Sequence, residues 1–241
     1  MAATELHSAM VLAAGFGQRM RPLTDHRPKP LVPLAGRPLL DHVLDRLAVA
    51  GVTRAVVNVH YLPEMIEAHL ARRARPEILI SDERPQILDT GGAVQKALVQ
   101  LGAAPFFVHN SDSVWIERNG STLRRMMDAW DDDTMDSLLL LAPIATSIGY
   151  AGRGDYSLEG DSRPRRRRDG GAVPFVFAGV SINHPRLFCN APEGPFSILR
   201  LWDEAEAAGR LAVIQLDGQW MHIGTPEALA EAEERLDGRE S

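Results

Sequence analysis

Leu12 to Pro30 reads LAAGFGQRMRPLTDHRPKP. It follows the apolar run Ala9-Met10-Val11, and residues 9–14 read as a buried strand running out into a loop. The loop holds two glycines, then Arg19, Arg21, Arg27 and Lys29 against one acid, Asp25, in a chain of formal net charge −6. A strand that ends in small residues, with Gly15 and Gly17 behind it, lets backbone N–H groups approach a phosphate closely. Arg19 and Lys29 then add fixed positive charge. Pro22, Pro28, Pro30 and Pro33 stiffen the loop and hold those cations at low entropic cost. The dinucleotide fingerprint is incomplete, with Met20 in place of its third glycine, and no G-K-[ST] triplet occurs. The same residues also fit a solvated surface loop.

Around this stretch lie 241 residues, 45% hydrophobic and 24% charged, which fit a globular chain of one large α/β domain or two small ones. The acidic balance argues against a nucleic-acid binder. Cys189 is the lone cysteine, so no disulfide framework can form within the chain and a reducing compartment fits. The opening MAATELHS has no leader pattern, and no apolar run approaches the roughly 18 residues of a membrane span. We therefore expect a cytoplasmic protein without membrane contact.

Downstream, short apolar runs alternate with helical patterns. Leu39, Leu40, Val43, Leu44 and Leu47 predict a helix from Pro38, stopped by Gly51. A strand at 55–59, a helix marked by Leu62, Met65, Ile66 and Leu70, a strand at 77–80 and a helix at 93–101 follow. Next come a strand at 105–108 ending at the polar HNSD, a helix at 121–130 and a strand at 137–142. This alternation implies an α/β fold with a doubly wound, mostly parallel sheet, whose ligands bind beyond the carboxyl ends of the strands. After about residue 150 glycines interrupt the pattern, and 163–171, RPRRRRDGG, reads as an exposed turn or hairpin. A strand at 174–182, a helix at 197–208, a strand at 211–216 and a helix from Pro226 to Leu236 capped by Thr225 complete the chain. There is no internal repeat and no β-helical tail.

The segment 12–40, LAAGFGQRMRPLTDHRPKPLVPLAGRPLL, closely resembles the signature of the sugar-1-phosphate nucleotidyltransferases. The family's order continues through LDTGGA (88–93), NSD (110–112), FAGVSI (177–182) and WMHIGTPEAL (220–229), so the resemblance spans nearly the whole chain. Within the family the chain looks most like the short bacterial N-acetylmuramate α-1-phosphate uridylyltransferases, with short mannose-1-phosphate guanylyltransferases next.

The resemblance implies one Rossmann-like domain over 1–241. Residues 1–150 or so form its nucleotide-binding half, and about 151–241 a sugar-binding half with a small β extension. It implies that an oxygen of a sugar 1-phosphate attacks the α-phosphorus of a nucleoside triphosphate and pyrophosphate leaves. The nucleophile is already ionised, so the task is to bring an anion to a polyanion, which fixed cations and Mg²⁺ accomplish by screening and aligning phosphates. By the same resemblance Arg19, Lys29 and Asp112 are catalytic, the first two as phosphate clamps and Asp112 as a ligand of Mg²⁺, with His222 at the second metal position. Leu12, Ala13, Ala14, Gly15, Gly17, Gln86, Gly91 and Asn110 bind the nucleotide. Phe177, Ala178 and Gly179 line the sugar pocket. An amide at Gln86, both donor and acceptor, matches a uracil or thymine edge. From residue chemistry alone, Asp112 also fits a turn or helix cap and Gln86 a solvent-facing position.

Three departures from the family pattern stand out. Ser111 replaces a usual glycine, His222 a usual aspartate, and no lysine precedes FAGVSI to hold the sugar phosphate. Arg163 and Arg165 to Arg168 are the nearest cations. They fit a solvated basic turn or, because N-acetylmuramate carries a lactyl carboxylate, an arginine reaching over the sugar pocket. The resulting expectation is UTP and N-acetylmuramate α-1-phosphate giving UDP-N-acetylmuramate in cell-wall recycling. Guanylyl transfer to mannose 1-phosphate and a catalytically weak sugar-nucleotide sensor are the alternatives. The eight histidines show no zinc spacing.

Overall fold

Ala9, Met10 and Val11 have no solvent exposure, because the strand they form is the middle of a sheet covered on both faces. The computed structural model describes residues 6–160 and 163–237; residues 1–5, where a leader was looked for, lie outside the described residues. In chain order the elements are β1 (Ser8–Leu12), the small hairpin β2 (Pro33–Leu34) and β3 (Arg37–Pro38), α1 (Leu39–Ala50), β4 (Arg54–Val59), α2 (Pro63–Leu70), β5 (Glu77–Asp82) and α3 (Asp89–Leu101). Then come β6 (Phe106–Asn110), β7 (Ser113–Glu117), α4 (Thr122–Ala129), β8 (Ser137–Pro143), β9 (Tyr156–Glu159) and β10 (Arg163–Arg166). The chain continues through β11 (Phe175–Asn183), α5 (Leu199–Ala207), β12 (Leu211–Gln215), β13 (Gly218–His222) and α6 (Pro226–Asp237).

Strands β5, β4, β1 and β6 lie side by side and parallel. β11 joins β6 antiparallel, β8 joins β11 antiparallel, and β12 extends β8 in parallel. The doubly wound, mostly parallel sheet expected from the alternation is what forms, and it continues unbroken from the first 150 residues into β11 and β12. Alternate residues of β1 serve opposite faces: Ala9 and Val11 pack with Leu40, Val43 and Leu47 of α1, while Met10 packs with Val94 and Ala97 of α3 and Trp202 of α5. Burial on both faces is why β1 is a continuous apolar run rather than an alternating one. From β1 the chain winds out to β4 and β5, then returns to β6 on β1's other side. The winding therefore reverses between β1 and β6, which opens a crevice at their carboxyl ends.

Several boundaries differ from the sequence expectation. Ala13 and Ala14 fall outside β1, because the Ala13 N–H donates to the side chain of Asn58 (2.7 Å) and not to a neighbouring strand. β6 runs two residues further than expected and takes in buried His109, which stacks on Trp115. α3 begins at Asp89 rather than Ala93, so Gly91 and Gly92 are helical. Phe196 accepts both their N–H groups on its carbonyl, and a Cβ at Gly91 would stand 2.3 Å from the Phe196 ring. Periodicity alone gives no sign of β7 and β13, which pair antiparallel with Trp115 opposite Trp220 although about a hundred residues separate them. Of the segment 163–171, Arg163–Arg166 is the arm β10 of a hairpin with β9, and the rest is loop. The Thr225 cap forms as expected, its hydroxyl accepting from the Ala228 N–H (3.2 Å).

Candidate active site

Beyond the carboxyl ends of β1 and β6 lies a cavity of about 660 Å³. Leu12, Ala13, Ala14, Gly15 and Gly17 line it from the first loop, and Arg19 and Lys29 follow from the same stretch. Asn110 and Asp112 line it from the end of β6. Gly17 is left-handed, and a Cβ there would meet Lys29 Cβ at 3.0 Å and the Thr24 methyl at 3.1 Å. Its carbonyl accepts from the Thr24 hydroxyl (2.8 Å), and Tyr61 donates to the carbonyl of Thr24 (2.9 Å). The glycine therefore lets the loop fold closely over Lys29, and the two hydroxyls fix it there.

Lys29 Nζ is bonded to the carboxylate of Asp112, and both side chains are largely buried. Burial alone would raise the Asp112 pKa; Lys29, and then His222, outweigh it and hold the carboxyl below its ordinary range. Arg19 is exposed at the cavity wall and meets no acid among the described residues. His222 reaches this point through the β7–β13 ladder, which sets it opposite Ser113, the residue after Asp112. Burial lowers its pKa most, Lys29 and Arg19 lower it further, and Asp112 acts the other way, so the ring is neutral at pH 7. Among the described residues no three His, Cys, Asp or Glu side chains form a metal cluster. Asp112 with His222 beside it thus suits a hard divalent ion held mainly by substrate oxygens and water, not a cage built by the protein.

Not every expected residue is at the wall. Gln86 is exposed and off the cavity, so reading a base edge through its amide has no support in this geometry. Gly91 is buried beneath Phe196 and also off the wall. In their neighbourhood Glu83 faces the cavity, almost fully buried, with one carboxylate oxygen accepting from Asn58 Nδ2 (2.9 Å) and the other from the Leu88 N–H (3.0 Å). Asn58 in turn receives the Ala13 N–H. These two residues were missed; the available signal was an asparagine inside the apolar strand AVVNV, since a buried amide must find partners.

A second cavity of about 300 Å³ shares Leu12, Asp89, Thr90 and Asn110 with the first and reaches the β9–β10 hairpin. Phe177 lines it, its ring edge-on to Trp202 at 4.8 Å. Ala178 and Gly179 line neither cavity: the Ala178 carbonyl accepts from the Ser113 hydroxyl, and Gly179 packs against Ser113 and Asn110.

Comparison with known proteins matches residues 8–150 to the nucleotidyl transferase family. The chain is 49% identical to an N-acetylmuramate alpha-1-phosphate uridylyltransferase of Caulobacter vibrioides, over 95% of this chain and 96% of that one. It is 30% identical to a mannose-1-phosphate guanyltransferase of Hypocrea jecorina, over 90% of this chain but 61% of the relative. The structure of HddC from Yersinia pseudotuberculosis complexed with GMP-PN superposes with a TM-score of 0.75 at 20% identity, over 96% of this chain and all of that one, which bears on the fold alone.

Proposed function

The chain belongs to the sugar-1-phosphate nucleotidyltransferase family, and from that premise we propose that it transfers a uridylyl group from UTP to N-acetylmuramate α-1-phosphate, releasing pyrophosphate and UDP-N-acetylmuramate. The observation that carries this reading is the high identity to an enzyme of that name along nearly its full length, in a chain whose phosphate loop is complete. The two adjoining cavities divide the work: the larger, built mostly by residues before 150, takes the nucleotide, and the smaller, walled mostly by residues after 150, takes the sugar.

In the reaction a sugar-phosphate oxygen forms a bond to the α-phosphorus while the bond from that phosphorus to the β-phosphate oxygen breaks. A phosphate monoester has its second pKa near about 6, so the nucleophile is anionic at neutral pH and no base is needed. Arg19, which has no acid beside it among the described residues, meets the triphosphate, and Lys29 bridges it to the sugar phosphate. Donors fixed in advance favour the charge that grows on the phosphates in the transition state. The loop N–H groups from Ala14 to Gly17 lie against the same phosphates. Asp112 and His222 would hold Mg²⁺, which supplies charge neutralisation of the triphosphate when bound. The compartment proposed with it is the cytoplasm, where UTP is at hand, and the role proposed is cell-wall recycling. The free, exposed Cys189 accords with a reducing compartment.

Pyrophosphate release from UTP, GTP and dTTP, each paired with the 1-phosphates of N-acetylmuramate, N-acetylglucosamine and mannose, tests the proposal. The UTP and N-acetylmuramate pair should have the highest kcat/KM. A preference for GTP with mannose 1-phosphate would establish guanylyl transfer in its place, and inactivity in every pair would leave a sensor.

A further inference from the structure

The arginine run 165–168 resolves into two kinds of residue. Three of its members are neutralised: Arg165 by Glu159 (2.9 Å), Arg166 by both oxygens of Asp203 (2.5 Å each), and Arg168 by Asp203 (3.3 Å). Arg167 is not. Its Nε donates to the Gly154 carbonyl (2.8 Å) and one terminal nitrogen to the Asp169 carbonyl (2.9 Å), and among the described residues it meets no carboxylate. Carbonyl groups orient a guanidinium without cancelling its charge. The backbone beneath is fixed too, for the Arg167 N–H donates to the Asp155 carbonyl (2.7 Å) and the Asp155 carboxylate accepts from the Phe177 N–H (2.9 Å).

Arg167 lines the smaller cavity. Tyr156 lines it as well, fully buried, and its hydroxyl finds no hydrogen-bond partner among the described residues. Asp155 lines the cavity too, its carboxylate engaged by the Phe177 N–H, and the Tyr156 hydroxyl lies on the side of Arg166. A guanidinium anchored by carbonyls, with no carboxylate bonded to it among the described residues, calls for an anionic group on the ligand. The phosphates have their own cations, Arg19 and Lys29, in the larger cavity. The anion left for Arg167 belongs to the sugar.

We infer that Arg167 determines sugar specificity: its free terminal N–H groups receive the lactyl carboxylate of N-acetylmuramate, so that the enzyme favours sugar phosphates bearing a carboxylate over neutral N-acetylhexosamine phosphates. The inference rests on the uridylyltransferase reading above. A lysine there would give a point charge without the planar fork that suits a carboxylate.

Steady-state kinetics at saturating UTP test it, with the 1-phosphates of N-acetylmuramate, its carboxyl methyl ester and N-acetylglucosamine. The enzymes are the parent, Arg167→Ala, Arg167→Gln and, as a control, Arg168→Ala. Glutamine keeps donors for the anchoring carbonyls but no charge, and thermal melting with KM for UTP reports on the fold. Both Arg167 variants should lose about 10- to 100-fold in kcat/KM for N-acetylmuramate 1-phosphate, mainly through KM, as expected when a hydrogen bond to a charged group is removed. With the ester and with N-acetylglucosamine 1-phosphate they should stay within about twofold of the parent, and Arg168→Ala should match the parent throughout. An equal loss on all three sugars would assign Arg167 to the phosphate or to the fold, and no loss would return it to a solvated turn; either overturns the inference. A parent inert towards N-acetylmuramate 1-phosphate would instead show in the first row of the data, and would remove the functional reading and the inference together.

Discussion

Lys29 and Asp112 neutralise each other, so neither charge can be removed alone without consequence. Lys29→Ala should lower kcat/KM by about 10²- to 10³-fold, the usual effect of deleting one preorganised donor to transition-state charge. It should also cost about 1–3 kcal/mol of stability, because Asp112 stays largely buried without its partner. Urea titrations of Lys29→Ala, Asp112→Asn and the double variant should show the double less destabilised than the sum of the singles. The metal offers a second test. Activity titrated against Mg²⁺ and Mn²⁺ should vanish in Asp112→Asn, whereas His222→Asp should need less Mg²⁺ for half-maximal rate, because imidazole is a poor ligand for a hard cation. Arg19, Lys29 and Asp112 were named through the family resemblance, and all three line the larger cavity. Glu83 and Asn58 were not, since their importance comes from burial that only the fold creates. Gln86 precedes the glycines in the chain, is exposed, and is not among the residues that line the larger cavity.

At the scale of elements, the glycine pair of α3 shows how a packing demand can look like a loop. Glycine to alanine in a helix normally gains about 1 kcal/mol. At Gly92 the new Cβ would lie 2.4 Å from the carbonyl oxygen of Gly194, a backbone atom that cannot swing aside. Gly92→Ala should therefore be destabilising by about 1–3 kcal/mol in chemical denaturation, the range for overpacking. Gly91→Ala should be milder, because the atoms it meets belong to the Phe196 ring, which is only partly buried and can rotate away. The helices α1 and α4 were readable from their spacing alone, since one face of each packs into the core. The β7–β13 ladder was not, because each strand is short and its partner lies far along the chain. That ladder brings His222 to Asp112, so half of the candidate metal site was beyond the reach of local pattern.

Taken whole, the molecule carries a buried base at its centre. His109 is fully buried against Trp115, and burial lowers its pKa from 6.5 to about 3. The unfolded chain therefore binds this proton more readily, and the stability it withholds is intact above pH 6.5 and lost as pH falls towards 3. Unfolding free energies measured from pH 7 to pH 4 should fall by up to ~1.4 kcal/mol per pH unit from this residue. His109→Phe, which keeps a ring against Trp115, should flatten that slope. The doubly wound, mostly parallel sheet was legible because strand–helix alternation permits few topologies; the depth at which His109 sits was not, because β6 runs past its apolar residues. One further feature concerns motion. The Ala13 amide, Asn58, Glu83 and the Leu88 amide form a chain of three hydrogen bonds between two loops 75 residues apart in sequence. The loops should then open as one cooperative unit. In hydrogen–deuterium exchange the amides of Ala13 and Leu88 should share a rate, and Asn58→Ala should quicken exchange at Leu88, which it does not touch.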